Sequence, residues 1–268
     1  MPELPEVETV CRTLSKLVVG KTVKEVEVRL PRLIRRPENP DEFCIELRNE
    51  TIQSVERRGK FIKIEFDHVV LVSHLRMEGR YGLYEKDEPV EKHTHVFFTF
   101  TDGTQLRYKD VRQFGTMDLF ARGEENDAPP LRKLGLEQLD PSFTFERFRH
   151  AIGNKTTKIK PLLLNQECIV GLGNIYVDES LFAAGIHPEK QASRLKKAEL
   201  ERLYRAIVHT LTEAVNSGGS SIKSYVNGQG EMGMFQQRLQ VYGRKGEPCL
   251  NCCNPIERIV VGGRGTHI

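Results

Sequence analysis

The sequence predicts an α+β protein: an N-terminal β-sandwich with one helix at its edge, a helical second segment, and a small β-hairpin at the end. Three observations carry this reading. Short runs of β-branched and aromatic residues, separated by turn signals, fill residues 22–121. Helical periodicity takes over after an acidic, proline-bearing stretch, Glu124-Glu-Asn-Asp-Ala-Pro-Pro130. The chain then closes with turn-rich sequence around Cys249-Leu-Asn-Cys252. The expected boundaries are 1–130 for the sandwich, 131–217 for the helices, 218–238 for a polar, glycine-rich loop, and 239–268 for the hairpin.

At 268 residues the chain can hold two cores. Hydrophobic residues make up 38% and charged residues 29%, a globular balance, and no apolar run approaches the ~20 residues that span a bilayer. The first residues carry acids where an export signal carries bases, so a cytoplasmic protein is expected. Net charge is only +3, but Lys223–Ile268 holds six Lys/Arg against three Glu, a tail suited to phosphate. Of the six cysteines, Cys11, Cys44 and Cys168 lie among apolar residues and read as reduced packing groups.

Taking the elements in order, Val7, Val10, Cys11, Leu14 and Leu17 recur at helical spacing, and Pro5 falls where a first turn tolerates proline. Strands are expected over 22–30, 54–66, 69–75, 80–84, 95–100, 105–108 and 115–121, with Asp102-Gly103 turning a hairpin. Residues 31–40 read as an irregular loop. Helices are expected over 145–152, 159–164, 175–184 and 198–215, the last ended by Gly218-Gly219.

The chemistry begins at the amino terminus. Removal of Met1 exposes Pro2 as a secondary amine. An α-amino group titrates near ~8, so part of it is neutral and nucleophilic at neutral pH. Glu3 places a carboxyl beside it, and the helix fixes both in space, with Glu6 supporting the amine and the helix entrance. Amine, carboxyl and anchor suit Schiff-base chemistry on a sugar carbon. Further on, Gly171-Leu-Gly-Asn174 allows tight turns before a helix whose free N–H groups can grip a phosphate. His93-Thr-His95 has no neighbouring ligand to complete a metal site. Cys249 and Cys252 have the spacing of half a four-cysteine zinc site.

Pro2-Glu-Leu-Pro-Glu-Val-Glu-Thr9 resembles the amino terminus of the bacterial formamidopyrimidine-DNA glycosylase family, and further motifs follow in that family's order along essentially the whole chain. The resemblance implies a bifunctional glycosylase and AP lyase that excises oxidised purines from damaged duplex DNA as a monomer. It makes Pro2 the nucleophile and Glu3 the acid. Lys60, in Arg57-Arg-Gly-Lys-Phe61, becomes the lysine that reaches phosphate or the opened sugar. Met77 in His74-Leu-Arg-Met-Glu-Gly79 and Arg112 and Phe114 in Lys109-Asp-Val-Arg-Gln-Phe-Gly115 become the plug for a flipped-out base, with Arg112 facing the orphaned cytosine. His74, His93, Lys155 and Asn174 become DNA contacts, Asn174 within a helix–two-turns–helix. The loop Tyr225–Phe235 becomes the cap over the lesion. Arg264, in Gly263-Arg-Gly-Thr-His267, becomes the phosphate-holding tip of a zinc finger, a catalytic contact flanking the lesion.

Three positions depart from the family pattern. Position 113, often basic, is Gln; position 253, usually glycine after the knuckle, is Cys; and the sequence stops at Ile268, before a second cysteine pair. Weakly held zinc and a loosely held 239–268 segment are therefore expected. Two rivals make different demands: an endonuclease VIII-like enzyme would prefer oxidised pyrimidines, and a non-catalytic DNA-binding protein would form no covalent adduct.

Overall fold

A glutamate N-cap, a proline in the first turn and an apolar stripe produce α1 (Leu4–Val18), which buries Leu4, Val7, Val10, Cys11, Leu14 and Val18. The structure is a computed structural model and describes residues 1–220 and 233–268. Two compact units divide the chain: Met1–Arg132 with Ser220–Gly233, and Lys133–Gly219 with Met234–Ile268.

In the first unit β1 (Val23–Val28), β2 (Ile34–Arg36), α2 (Pro40–Leu47), β3 (Ser54–Arg58), β4 (Phe61–Glu65), β5 (Val69–His74), β6 (Arg80–Glu85), β7 (Thr94–Phe100), β8 (Thr104–Lys109) and β9 (Thr116–Ala121) follow α1. They form two sheets, ordered β1-β7-β8-β6 and β2-β9-β5-β4-β3. Every pairing is antiparallel except β2 with β9. Phe98, Phe100, Leu106 and Tyr108 of one sheet share a core with Ile62, Ile64, Leu71 and Met117 of the other, and the α1 stripe joins it. Each such side chain contributes roughly 1.5–3 kcal/mol by leaving water. The sandwich is the expected one, with α1 against edge strand β3, where the Cys11 thiol donates to the Glu56 carbonyl at 3.3 Å.

Two expectations for this unit need correction. Residues 54–66 are not one strand: Gly59, at φ +59°, turns the chain between β3 and β4. Residues 31–40 are not irregular: a 3-10 turn (Pro31–Leu33) leads into β2, and α2 starts at Pro40. The Asn39 side chain caps α2 by accepting the Asp41 N–H at 3.0 Å. The sequence carried that signal, since Asn-Pro-Asp-Glu is an N-cap, a proline at N1 and first-turn acids.

The second unit contains β10 (Leu136–Glu137), α3 (Phe145–Ile152), α4 (Ile159–Leu164), β11 (Ile169–Val170), α5 (Asn174–Ala184), α6 (Lys197–Asn216), β12 (Arg258–Val261) and β13 (Arg264–His267). The four helices stand where they were expected, α3 and α6 on apolar stripes, while α5 is buried around much of its girth, Asp178, Glu179 and Ser180 included. β10 and β11 pair in parallel, and β12 and β13 form an antiparallel hairpin. That hairpin turns at Gly262-Gly263, both at positive φ, and not around the cysteines as expected. Cys249-x-x-Cys252 lies in a separate turn, closed by Cys253 N–H donating to the Cys249 carbonyl at 2.9 Å and by a Pro248–Pro255 bridge. Among the described residues, no helix is long and apolar enough to cross a membrane.

Candidate active site and nucleic-acid interface

In the first unit, Pro2 is buried, with Glu3 and Glu6 only 4% and 3% exposed. The Glu3 backbone N–H donates to Glu6 Oε2 at 2.8 Å. Glu6 Oε1 accepts the Ser220 N–H at 2.8 Å and its hydroxyl at 3.2 Å. Both oxygens of Glu6 are thus engaged, fixing the chain terminus to α1 and to Ser220 of the 218–238 loop. Residues 221–232 of that loop lie outside the described residues.

Lys60 is 6% exposed and follows the Gly59 turn. Arg57 secures this turn: its Nη1 donates to the Gly59 carbonyl at 3.0 Å, and its Nε donates to Glu8 of α1 at 2.9 Å. Burial opposes ionisation of Glu8, but Arg57 and Arg12 outweigh it and hold its carboxyl below the usual range. The helix carrying Pro2 and Glu3 and the turn carrying Lys60 are therefore tied together.

His74 ends β5 and is 6% exposed, its ring edge-on to Phe61 at 4.6 Å. Burial first, then the cations Arg76, Lys60 and Arg35, hold its pKa down at about 3, so the imidazole is neutral. The Arg76 N–H donates to Nδ1 at 2.9 Å, which leaves Nε2 as the protonated nitrogen, a donor suited to phosphate oxygen. His93 is half-buried at φ +67°. Met77 and Phe114 are large apolar side chains exposed to 39% and 54%, and the exposed Arg112 guanidinium lies 5.1 Å from the Phe114 ring centre. An exposed ring beside a cation, with a second exposed apolar side chain on another turn, suits a base-stack plug.

In the second unit, Asn174 is the first residue of α5, and its Nδ2 donates to the Gly265 carbonyl at 2.8 Å. Its buried Oδ1 has no partner among the described residues. Arg264 is exposed and opens β13 directly after the hairpin turn. Lys155 is also exposed. The basic cluster Lys155–Lys160 does not act as one: Lys158 pairs with Glu189 at 2.6 Å, and Lys160 is fully buried.

Sequence reasoning missed what Lys160 does. Its Nζ reaches Asp178 Oδ1 at 2.6 Å and the Gly265 carbonyl at 3.1 Å, and both side chains of the pair are 0% exposed. Asp178 Oδ2 accepts the His267 N–H at 3.0 Å. Gly265 and His267 of the hairpin bearing Arg264 are thereby tied to α4 and α5. The available signal was a lysine enclosed by Ile159 and Leu162-Leu163-Leu164 on a helix.

Cys249 is buried, and N–H groups of Asn251 and Cys252 directed at its sulfur pull its thiol pKa down, as in a metal knuckle. Cys252 and Cys253 are exposed, Cys253 at φ +63°. Tetrahedral zinc wants four ligands, whereas no group of three or more candidate ligands occurs among the described residues. His267, the nearest candidate by sequence, has its ring against Asp178 at 3.3 Å and Tyr242 at 5.0 Å. Cys249 and Cys252 therefore stand as a two-cysteine turn with the spacing of metal ligands.

The family model for the formamidopyrimidine-DNA glycosylase N-terminal domain matches residues 1–117, and that for the formamidopyrimidine-DNA glycosylase H2TH domain matches residues 134–226. A formamidopyrimidine-DNA glycosylase of Brevibacillus brevis is 66% identical over all of this chain and 97% of the relative. One from Halalkalibacterium halodurans is 60% identical with the same coverage. Lactococcus lactis Fpg, solved with DNA containing N7-benzyl-Fapy-dG, superposes with a TM-score of 0.92 at 43% identity, covering 99% of this chain and 97% of that one. The same enzyme solved with DNA containing an abasic site gives an equal TM-score. With two family models spanning most of its length and a relative two-thirds identical from end to end, the chain belongs to the formamidopyrimidine-DNA glycosylase family.

Proposed function

We propose that this protein is a base-excision repair glycosylase that removes oxidised purines from damaged duplex DNA and then cleaves the abasic strand. The observation that carries the reading is the buried Pro2-Glu3 terminus held by both oxygens of Glu6. With Met1 removed, the neutral Pro2 nitrogen attacks C1′ of the flipped nucleotide and the base departs. The Pro2 nitrogen loses its proton on attack, Glu3 donates a proton to the sugar ring oxygen, the ring opens, and an iminium cation joins Pro2 to C1′. The imine acidifies C2′; loss of that proton expels the 3′ phosphate, and a second elimination expels the 5′ phosphate. Lys60 and neutral His74 hold backbone phosphate near the sugar, while Met77, Arg112 and Phe114 fill the vacated stack. His93, Lys155, Asn174 and Arg264 add backbone contacts, and the 218–238 loop covers the lesion.

The enzyme works as a cytoplasmic monomer on DNA. Zinc, where a complete ligand set is present, would brace the Cys249–Cys252 turn structurally, and no chemical step passes through it. Lesion choice is tested with duplexes carrying 8-oxoguanine or thymine glycol; the first should be cut preferentially, and preference for the second would instead assign the endonuclease VIII-like activity.

Borohydride trapping tests the nucleophile. The protein should be captured covalently on lesion-bearing DNA. Pro2→Gly, or a form retaining Met1, should lose trapping and strand cleavage yet still bind damaged DNA. Trapping at the normal rate with Met1 retained would remove Pro2 from the mechanism.

A further inference from the structure

Three turns of the first unit carry residues given to DNA: Arg76–Met77, His93, and Arg112–Phe114. Each contains a non-glycine residue in the left-handed region: Arg76 at φ +53°, His93 at +67° and Gln113 at +59°. Such conformations are costly for residues with a Cβ and persist only where the surroundings over-determine them. Around the Met77 and Arg112–Phe114 turns the surroundings converge on two buried side chains that the mechanism above does not use, and the His93 turn joins them through the main chain of Asp110.

Asp110 is 0% exposed. Its Oδ1 accepts the Arg112 N–H at 3.1 Å and its Oδ2 accepts the Gly115 N–H at 2.8 Å, bracketing the Arg112–Phe114 turn. Its own N–H donates to the His93 carbonyl at 3.0 Å, and its carbonyl faces His95 Nε2 at 3.0 Å. Tyr108 is also 0% exposed, with its ring against Tyr81 at 4.9 Å. Its hydroxyl lies between the Met77 turn and the end of the Arg112–Phe114 turn: a Cβ added at Gly79 would come within 2.2 Å of it, and one added at Gly115 within 1.8 Å. Gly79 closes the Met77 turn by donating to the Leu75 carbonyl at 2.9 Å.

We propose that Asp110 and Tyr108 are positioning residues that lock the three turns into one rigid wedge, so that Met77, Arg112 and Phe114 enter the base stack together. The chemical need is plain. Unstacking a base opposes its extrusion, and a plug on a yielding turn recoils instead of separating the bases. Two N–H bonds to one buried carboxylate, with a tyrosine hydroxyl filling the gap between glycines, give the turns no room to recoil.

The inference rests on the proposed glycosylase and lyase reading, and the test separates the two. Single-turnover cleavage is measured on a duplex carrying the lesion and on one carrying a preformed abasic site, which has no base to unstack. If the wild-type protein cuts neither, the functional reading itself fails. If it cuts both, Asp110→Asn, which can keep only one of the two N–H bonds, should slow lesion excision by about tenfold or more while abasic cleavage stays within about threefold. Adding Phe114→Ala to Asp110→Asn should produce little further loss on the lesion duplex, since both act through the same wedge. Should Asp110→Asn lack a cooperative melt, Tyr108→Phe, which keeps the ring and removes the hydroxyl, should show the same substrate split at smaller size. Equal losses on both substrates in a folded variant, or fully additive effects with Phe114→Ala, would overturn the proposal.

Discussion

A histidine that cannot charge is the clearest statement made by a single residue here. His74 has its pKa held down at about 3, against an ordinary 6.5, by burial and then by Arg76, Lys60 and Arg35. Below about pH 6.5 the unfolded chain takes up a proton that the folded chain refuses. The corresponding stability is therefore present in full above pH 6.5 and is lost as pH falls toward 3. Between pH 6.5 and about pH 5 the loss from this one group should be about 2 kcal/mol. Chemical denaturation of wild type and His74→Gln across that window checks it: the variant should show a shallower acid-side decline. Phe114 makes a second prediction at this scale. Its 54% exposure makes truncation to Ala cheap in stability, yet excision from duplex DNA should slow about tenfold or more while cleavage at a preformed abasic site changes little. Equal slowing on both substrates would reduce Phe114 to a surface residue.

Among the elements, the β12–β13 hairpin depends on a buried ion pair. Lys160 and Asp178 are both 0% exposed, and between them they engage the Gly265 carbonyl and the His267 N–H. Removing one partner leaves an uncompensated buried charge, so Lys160→Met should cost about 3–5 kcal/mol. The hairpin should loosen with it, and Arg264 with the hairpin. A melting curve measures the first effect. Hydrogen exchange of residues 258–267 measures the second, and protection unchanged from wild type would show that the hairpin holds without the pair. α1 and the β3–β4 turn are coupled by the same kind of device, with Arg57 joining Glu8 to the Gly59 carbonyl. In both cases a charged side chain inside the fold sets where a functional residue stands.

Over the whole molecule, phosphate contacts should appear as salt dependence. Each cation that neutralises a phosphate adds about 0.9 to the slope of log K against log salt. Lys155→Ala and Arg264→Ala should each lower the slope by about that amount, and together by about twice it. His74→Ala should weaken binding without changing the slope, because the imidazole is uncharged. Fluorescence-anisotropy titrations over a range of salt concentrations test all three; an unchanged slope for Arg264→Ala would take that residue off the DNA.

The periodicity of local sequence, together with the motifs, was enough to determine the fold class, the opening helix and the places of the four later helices, and to single out Pro2 and Glu3 as candidates for the chemistry. Those features depend on residues near one another in the chain: an apolar stripe, a proline in a first turn, an amine beside a carboxyl. The helix α2 was legible on the same terms, in Asn39-Pro40-Asp41-Glu42. Tertiary structure alone decided what Lys160 is. By composition it belongs to a basic cluster, but an aspartate 18 residues away in sequence and a carbonyl 105 residues away take it out of solvent. It likewise decided that His74 is neutral, that Asp110 brackets the Phe114 turn, and that Ser220 completes the hold on Glu6. Burial and long-range hydrogen bonds set each of these, and both arise only when segments far apart in the chain are packed together.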